Sequence, residues 1–335
     1  MSGKFITMAH GGGGTRMQEL LRQTVFPLLD EDLLLDQEDA AAFSVDIGRV
    51  ALTTDSYVVK PLFFPGGDIG KLAVCGTVND LAMRGGEPLY ITLGLILEEG
   101  LHLDVLERIL SSVGFWAKEA GVRVVAGDTK VVERGMADGI YINTSGVGQL
   151  RSGREVSIAG ATDGDVLMVN GFIGDHGMAV LNEREGLFTN SDLTSDCAPL
   201  SGLVRAMQEA GEVHSLRDPT RGGLAAALKE MARASSCAFE IDEGSVPIRE
   251  RVLAACEMLG LDPLYVANEG KLLAAVPERD AGAVLEAMRA NPRGKEAGII
   301  GRIIEGRRGE VSMITSLGSH RLVRAPSGEQ LPRIC

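Results

Sequence analysis

Apolar residues recur along this 335-residue chain at two periods, one near two residues and one near 3.6, and they divide it into alternating strands and helices. Near the start, Met17, Leu20, Leu21 and Leu28 mark one helix face, entered at Thr15 with Gln18 in capping-box spacing. Two strand-like runs follow at 40–45 and 50–53, split by a turn at Asp46-Ile47-Gly48. Pro65-Gly66-Gly67-Asp68 opens a helix to about Arg84, where Gly85-Gly86 can end it. Then come a strand at 89–97, a helix at 103–120 stopped by Gly121, and strands at 122–126 and 139–148. The second half repeats the alternation, with strands at 166–170, 238–241 and 272–276. Its helices start behind Gly171–Gly177, Pro199 and Arg217–Gly223 and span 248–259 and 278–291. Short closing strands fill 297–323. A polar Gly/Arg-rich stretch around 151–156 marks a domain boundary, and no internal repeat stands out.

Composition narrows the class. Hydrophobic residues make up 45% and aromatics only 4%, with 43 glycines, which suits an α/β enzyme better than a base-stacking nucleic-acid binder. The net charge of −13 disfavours nucleic acid and anionic membranes, yet allows a nucleotide held through a metal by carboxylates. The five cysteines (75, 197, 237, 256 and 335) form no C-x-x-C pair, so neither a zinc cluster nor a disulfide framework is expected. No signal-peptide core and no membrane-length apolar run occurs, and the expected location is cytoplasmic.

Several stretches carry chemistry that periodicity does not explain. Pro332-Arg333-Ile334-Cys335 ends the sequence on a thiol, behind a Pro/Gly-containing segment without helical or strand pattern. The 11 residues from Ala325 to Cys335 reach at most about 36 Å. Cys335 therefore reads as a swinging arm; an inert thiol is the bland alternative, and a prenylation box would need three more residues. His10-Gly11-Gly12-Gly13-Gly14 before a helix is either a phosphate cradle or a linker. Thr54-Asp55-Ser56 and Gly127-Asp128-Thr129-Lys130 place acids at expected strand ends, as metal ligands or turn caps. Asn79 and Asp80 are poor mid-helix residues among apolar neighbours. His176 is either catalytic or a turn hydrogen bond, and Arg217–Gly223 makes an anion or metal site at a helix N-terminus. Cys75, Cys197, Cys237 and Cys256 read as small buried residues.

Taken in order, these motifs resemble the hydrogenase expression/formation family HypE. To them belong also Gln37-Glu38-Asp39, Phe63–Asp68, Gly174–Gly177 and Asn268-Glu269-Gly270. The resemblance covers nearly the whole chain. It places the chain in the superfamily of aminoimidazole ribonucleotide synthetase and selenophosphate synthetase. It implies a PurM-like (AIR synthetase-like) ATP-binding fold, α/β plus α+β: an N-terminal α/β domain over 1–152 with the ATP site and dimer interface, a C-terminal α+β domain over 153–324, and a flexible tail over 325–335. ATP and magnesium (Mg2+) are the implied cofactors. By motif position the implied metal ligands are Asp39, Asp55, Asp80, Asp128 and Asp218, with direct contact left open among them. Gly11, Gly12, Gly13, Thr54, Asn79 and Arg221 join Asp55, Asp80, Asp128 and Asp218 around the nucleotide.

The implied reaction is ATP-dependent dehydration of a carbamoyl group on Cys335 to S-cyanocysteine, the source of cyanide for the iron of NiFe hydrogenase. The implied partners are a second copy of the chain, the carbamoyltransferase HypF, and a HypC–HypD scaffold that receives cyanide. Glu269 is expected as the base, with a metal or structural role as the alternative. Lys130 is expected as a cation near the phosphoryl or carbamoyl oxygen. Two rivals remain: a small-molecule kinase such as selenophosphate synthetase, which leaves Cys335 unexplained, and a non-catalytic scaffold, which needs neither the acids nor Lys130.

Overall fold

The structure, a computed structural model, describes residues 5–10, 15–29, 48–150, 156–188 and 192–325. Its first sheet contains β1 (Val50–Tyr57), β2 (Gly86–Glu98), β3 (Arg123–Val132) and β4 (Ile140–Leu150), in the order β1-β4-β2-β3. β4 runs antiparallel to both neighbours, while β2 and β3 are parallel. A parallel pair needs a crossover, and helix α2 (Leu103–Ala120) supplies it, stopping at Gly121 in the left-handed conformation as its sequence predicts. The N-terminal helical stretch widens into a π turn at Leu21–Val25, where Phe26 N–H reaches Leu21 O just before Pro27.

Between this sheet and the second half lies α1 (Ile69–Met83). Asp68 caps it, accepting from the amides of Gly70 (2.8 Å) and Lys71 (3.0 Å). Every residue of α1 except Asp80 is buried, the condition of a helix apolar all round. At Gly76 the Tyr57 hydroxyl comes so close that any Cβ would collide with it. The hydrophobic cores interleave across this helix. Cys197 and Ala267 of the second half join the first core, and Ala82 and Met83 of α1 join a core of the second half.

The second half carries α3 (Asp175–Glu185), α4 (Ser201–Ala210), α5 (Gly223–Ser235), α6 (Glu250–Leu259) and α7 (Glu278–Ala290). Its sheet has β5 (Val166–Val169), β6 (Ser215–Arg217), β7 (Ala238–Asp242), β8 (Leu273–Val276), β9 (Gly298–Ile304), β10 (Val311–Ile314) and β11 (His320–Leu322). The order is β11-β10-β7-β9-β5-β8-β6. β5 and β8 are buried on both faces. Leu167, Val169, Leu273 and Ala275 pack with α5, and their alternates Met168, Ala274 and Val276 pack with α4 and α7. Thus the uninterrupted apolar runs of the sequence are central strands.

Two expected strand ends move. β1 continues through Thr54-Asp55-Ser56 to Tyr57, and β3 continues through Gly127–Lys130 to Val132. Pairing carries both on: Asp55 faces Thr144 and Asp128 faces Gly94 in register. The expected boundary at 152/153 falls on residues 151–155, outside the described residues. Among the described residues no helix is long and apolar enough to cross a membrane.

Candidate active site

Strand alternation sorts the expected acids onto two faces of the first sheet. Thr53, Asp55 and Tyr57 point towards α1. The Thr53 hydroxyl donates to Asp80 Oδ2 at 2.8 Å, and Tyr57 meets Thr77. Two loops of the second half bring Asp218, just past β6, and Glu269, just before β8, to the same place. Asp80 feels the charge of Asp55, Asp218 that of Asp80, and Glu269 that of Asp218 and Asp55. Four carboxyl groups from four separated stretches thus converge where the two halves meet.

Their electrostatics are unbalanced. Burial, then Asp80, pushes the Asp218 carboxyl up to about 6, with Arg217 opposing. Burial also raises Asp80, against the Thr53 hydrogen bond. Glu269 is raised well above the carboxylate range by burial first, then by Asp218, Asp196 and Asp55. Arg217 lowers both Asp80 and Asp218, but it is shared with Glu230, 2.9 Å away. No described residue donates a hydrogen bond to the Glu269 carboxyl. A buried acid cluster with this little compensation favours a bound cation or protons. Its donors are hard oxygens, the kind magnesium takes. Among the described residues no three His, Cys, Asp or Glu side chains form a chelating group by themselves. That arrangement fits a magnesium ion that draws its remaining ligands from water and a nucleotide's phosphates.

Around Glu269 the backbone is held tightly. Asn79 Nδ2 donates to Ala198 O (3.1 Å) and Glu269 O (3.2 Å), and its Oδ1 accepts from Leu200 N–H at 2.8 Å. The amide expected to meet a nucleotide instead ties α1 to two loops of the second half, because its polar atoms are engaged by backbone. Asp196 Oδ1 accepts the Glu269 N–H at 3.1 Å, and Lys271 Nζ stands 3.1 Å from Asp196 Oδ2. Burial alone would push Asp196 up; Lys271 and then His176 hold it below its usual range. This buried pair escaped the sequence reading. Lys271 follows Asn268-Glu269-Gly270 directly, but Asp196 sits in an irregular loop that nothing in the pattern marks. His176 is wholly buried, with Nδ1 2.8 Å from Ser195 Oγ, which favours its hydrogen-bonding role.

The remaining expected residues lie elsewhere. Asp128 and Lys130 occupy the open face of the first sheet, paired at 2.7 Å and about two-thirds exposed, and Lys130 holds the Asp128 carboxyl below its usual range. The structure therefore does not bring them to the acid cluster within one chain, because both have the opposite strand parity from Asp55. Thr54 shares their face and donates to Thr144 O at 3.0 Å. Arg221 is exposed just before α5, with no ion pair to any described residue. Gly11, Gly12, Gly13, Asp39 and Cys335 lie outside the described residues.

Both halves match models of AIR synthase related proteins, the N-terminal domain over residues 37–150 and the C-terminal domain over 162–314. The chain is thus a two-domain protein of the AIR synthase related, PurM-like class. It is 51% identical over 332 residues to carbamoyl dehydratase HypE of Rhizobium leguminosarum bv. viciae, covering 98% of this chain and 95% of that one. A crystal structure of hydrogenase maturation protein HypE in complex with ATP superimposes with a TM-score of 0.94 at 46% identity, covering 98% of this chain and 99% of the other. A chain from a HypE–HypF complex superimposes with a TM-score of 0.80, also at 46% identity, covering 93% and 100%. The chain belongs to the carbamoyl dehydratase HypE family.

Proposed function

We propose that this chain is an ATP-dependent carbamoyl dehydratase of hydrogenase maturation, converting an S-carbamoyl group on Cys335 into S-cyanocysteine. The observation that supports it best is Glu269: a buried carboxyl of raised pKa beside an under-compensated acid cluster, at the meeting of two domains. Direct dehydration of a carbamoyl group would expel hydroxide, a poor leaving group. Transfer of the γ-phosphoryl of ATP to the carbonyl oxygen makes that oxygen part of a phosphate. The carbon–oxygen bond then breaks, the nitrogen gives up its two protons, and S–C≡N, ADP and phosphate result. In its ionised form Glu269 accepts a nitrogen proton, and burial strengthens that form as a base.

Asp55, Asp80 and Asp218 would hold magnesium, with Asp39 as a further candidate. Bound magnesium supplies charge neutralisation and polarisation of the phosphoryl group. Arg221, together with Gly11, Gly12 and Gly13, is assigned to the phosphates, and the tail supplies proximity. The open face of the first sheet exposes Val50, Leu52 and Ile96. A homodimer formed over this face would set Thr54, Asp128 and Lys130 at the seam between two copies. A carbamoyltransferase of the HypF kind loads the tail, a HypC–HypD scaffold receives the cyanide, and the setting is the cytoplasm.

Intact-protein mass spectrometry after incubation with carbamoyl donor, carbamoyltransferase and ATP tests the reading. The wild-type chain gains a carbamoyl group and then loses one water in an ATP-dependent step, while Cys335→Ala gains nothing. Carbamoyl mass on the Ala variant, or loss of water without ATP, would overturn it.

A further inference from the structure

A cavity of about 350 Å³ at one edge of the second sheet is lined by five cations. Lys229 and Arg233 come from α5, Arg307 and Arg308 from the turn between β9 and β10, and Arg324 from just past β11. Glu310 is the one acid in its wall. Lys229 Nζ donates to Gly309 O at 2.7 Å, and Arg307 stands 3.8 Å from Glu310. Arg233, Arg308 and Arg324 have no ion pair with any described residue. In a chain of net charge −13, this is a concentrated island of positive charge, five cations against one acid.

Its position matters as much as its sign. Arg324 and Ala325 are part of the wall, so the tail departs from the cavity itself. The departure point is fixed: Val323 N–H bonds Val311 O at 2.9 Å, and the Tyr265 hydroxyl donates to Arg324 O at 2.9 Å. Any protein that reacts with the Cys335 thiol must bring its own site within about 36 Å of this root. A small anion would be gripped by cations turned inward. Here most of the cations are exposed, and Leu322, also exposed, adds an apolar rim suited to a protein surface.

We propose that this cavity is a docking site for an acidic surface of the protein that loads the tail thiol, orienting that partner at the tail's root. The proposal rests on the dehydratase reading, which makes Cys335 the group handed between proteins. Charges at such a rim act chiefly on the association rate and its salt dependence.

The test measures the initial rate of Cys335 carbamoylation by the carbamoyltransferase, at low and at high salt. Arg307→Glu with Arg308→Glu should lower kcat/KM for loading about tenfold or more at low salt. The deficit should shrink at high salt, Arg307→Lys with Arg308→Lys should restore loading, and ATP binding should stay unchanged. Equal loading of wild type and the glutamate variant at low salt overturns the proposal alone, as does a deficit of the same size at high salt. Inhibition of loading by inorganic phosphate beyond that of chloride at equal ionic strength would identify a small-anion site and also overturn it. Failure of the wild-type chain to be loaded at all sinks the dehydratase reading, and the docking proposal with it.

Discussion

The two faces of the first sheet carry the same side-chain types with opposite electrostatics. On the inner face, Asp55 and Asp80 meet Asp218 and Glu269 under cover, Arg217 is shared with Glu230, and the Asp80, Asp218 and Glu269 carboxyls are raised. On the outer face, Asp128 has a lysine of its own and open solvent, and its carboxyl is lowered. An aspartate at a strand position is therefore not a metal ligand by type. Burial without a partner cation leaves it open to a bound cation or a proton, and a private lysine makes it a surface ion pair.

The sharpest way to break this contrast is at Glu269. Gln is nearly isosteric but a negligible base, so Glu269→Gln should fold, bind ATP and accept the carbamoyl group. Loss of water from the tail should slow by about 10²–10⁴-fold, read by the same mass measurement; a wild-type rate would place the base elsewhere. Next, Asp80→Asn should cut magnesium-dependent ATP turnover by roughly 10²-fold, since a metal ligand is worth several kcal/mol. Phosphate release assays on Asp80→Asn and Asp128→Asn side by side sharpen the comparison. A loss at Asp128 that appears only in the dimer would assign it to the seam between copies.

Smaller effects concern stability. An acid whose folded pKa is raised binds protons more tightly folded than unfolded, so its contribution is full below the unfolded pKa and is lost as pH rises through the folded one. For Asp218 that window runs from about 4 to about 6. Without nucleotide or magnesium, wild type should lose on the order of 3 kcal/mol across it from this residue, and Asp218→Asn should lose correspondingly less. Urea unfolding at pH 4.5 and pH 7 measures the difference; parallel curves for both proteins would contradict it. Smallest of all, removing the exposed Asp128–Lys130 pair should shift stability of the isolated chain by under about 1 kcal/mol, checked by thermal unfolding of Lys130→Ala.

Much of this architecture was legible beforehand. Helix α2 ends at Gly121 as its pattern predicts, and α1 begins behind Asp68. Glycine and cap residues are local signals, which is why these limits are readable. β1 and β3 outran their expected ends because pairing with β4 and β2 is not local. The inner set of acids could be named from motifs. The strand parity of each acid follows from pairing beyond the locally readable strand ends, so local pattern alone does not separate Asp128 and Lys130 from Asp55. Asn79 stands out in the sequence as a polar residue in an apolar helix, yet its partners are backbone atoms from residues over a hundred positions away.

Helix α1 has one more consequence. Because it donates side chains to cores on both sides and Asn79 fastens it to the loops of Ala198 and Glu269, neither domain can melt while leaving the other its full interior. The two domains should behave as a single foldon, and a nucleotide held at their seam, as proposed above, would stabilise both together. Amide hydrogen exchange should then be slowed by magnesium-ATP as strongly in β8, at the far side of the molecule's seam, as in α1 itself.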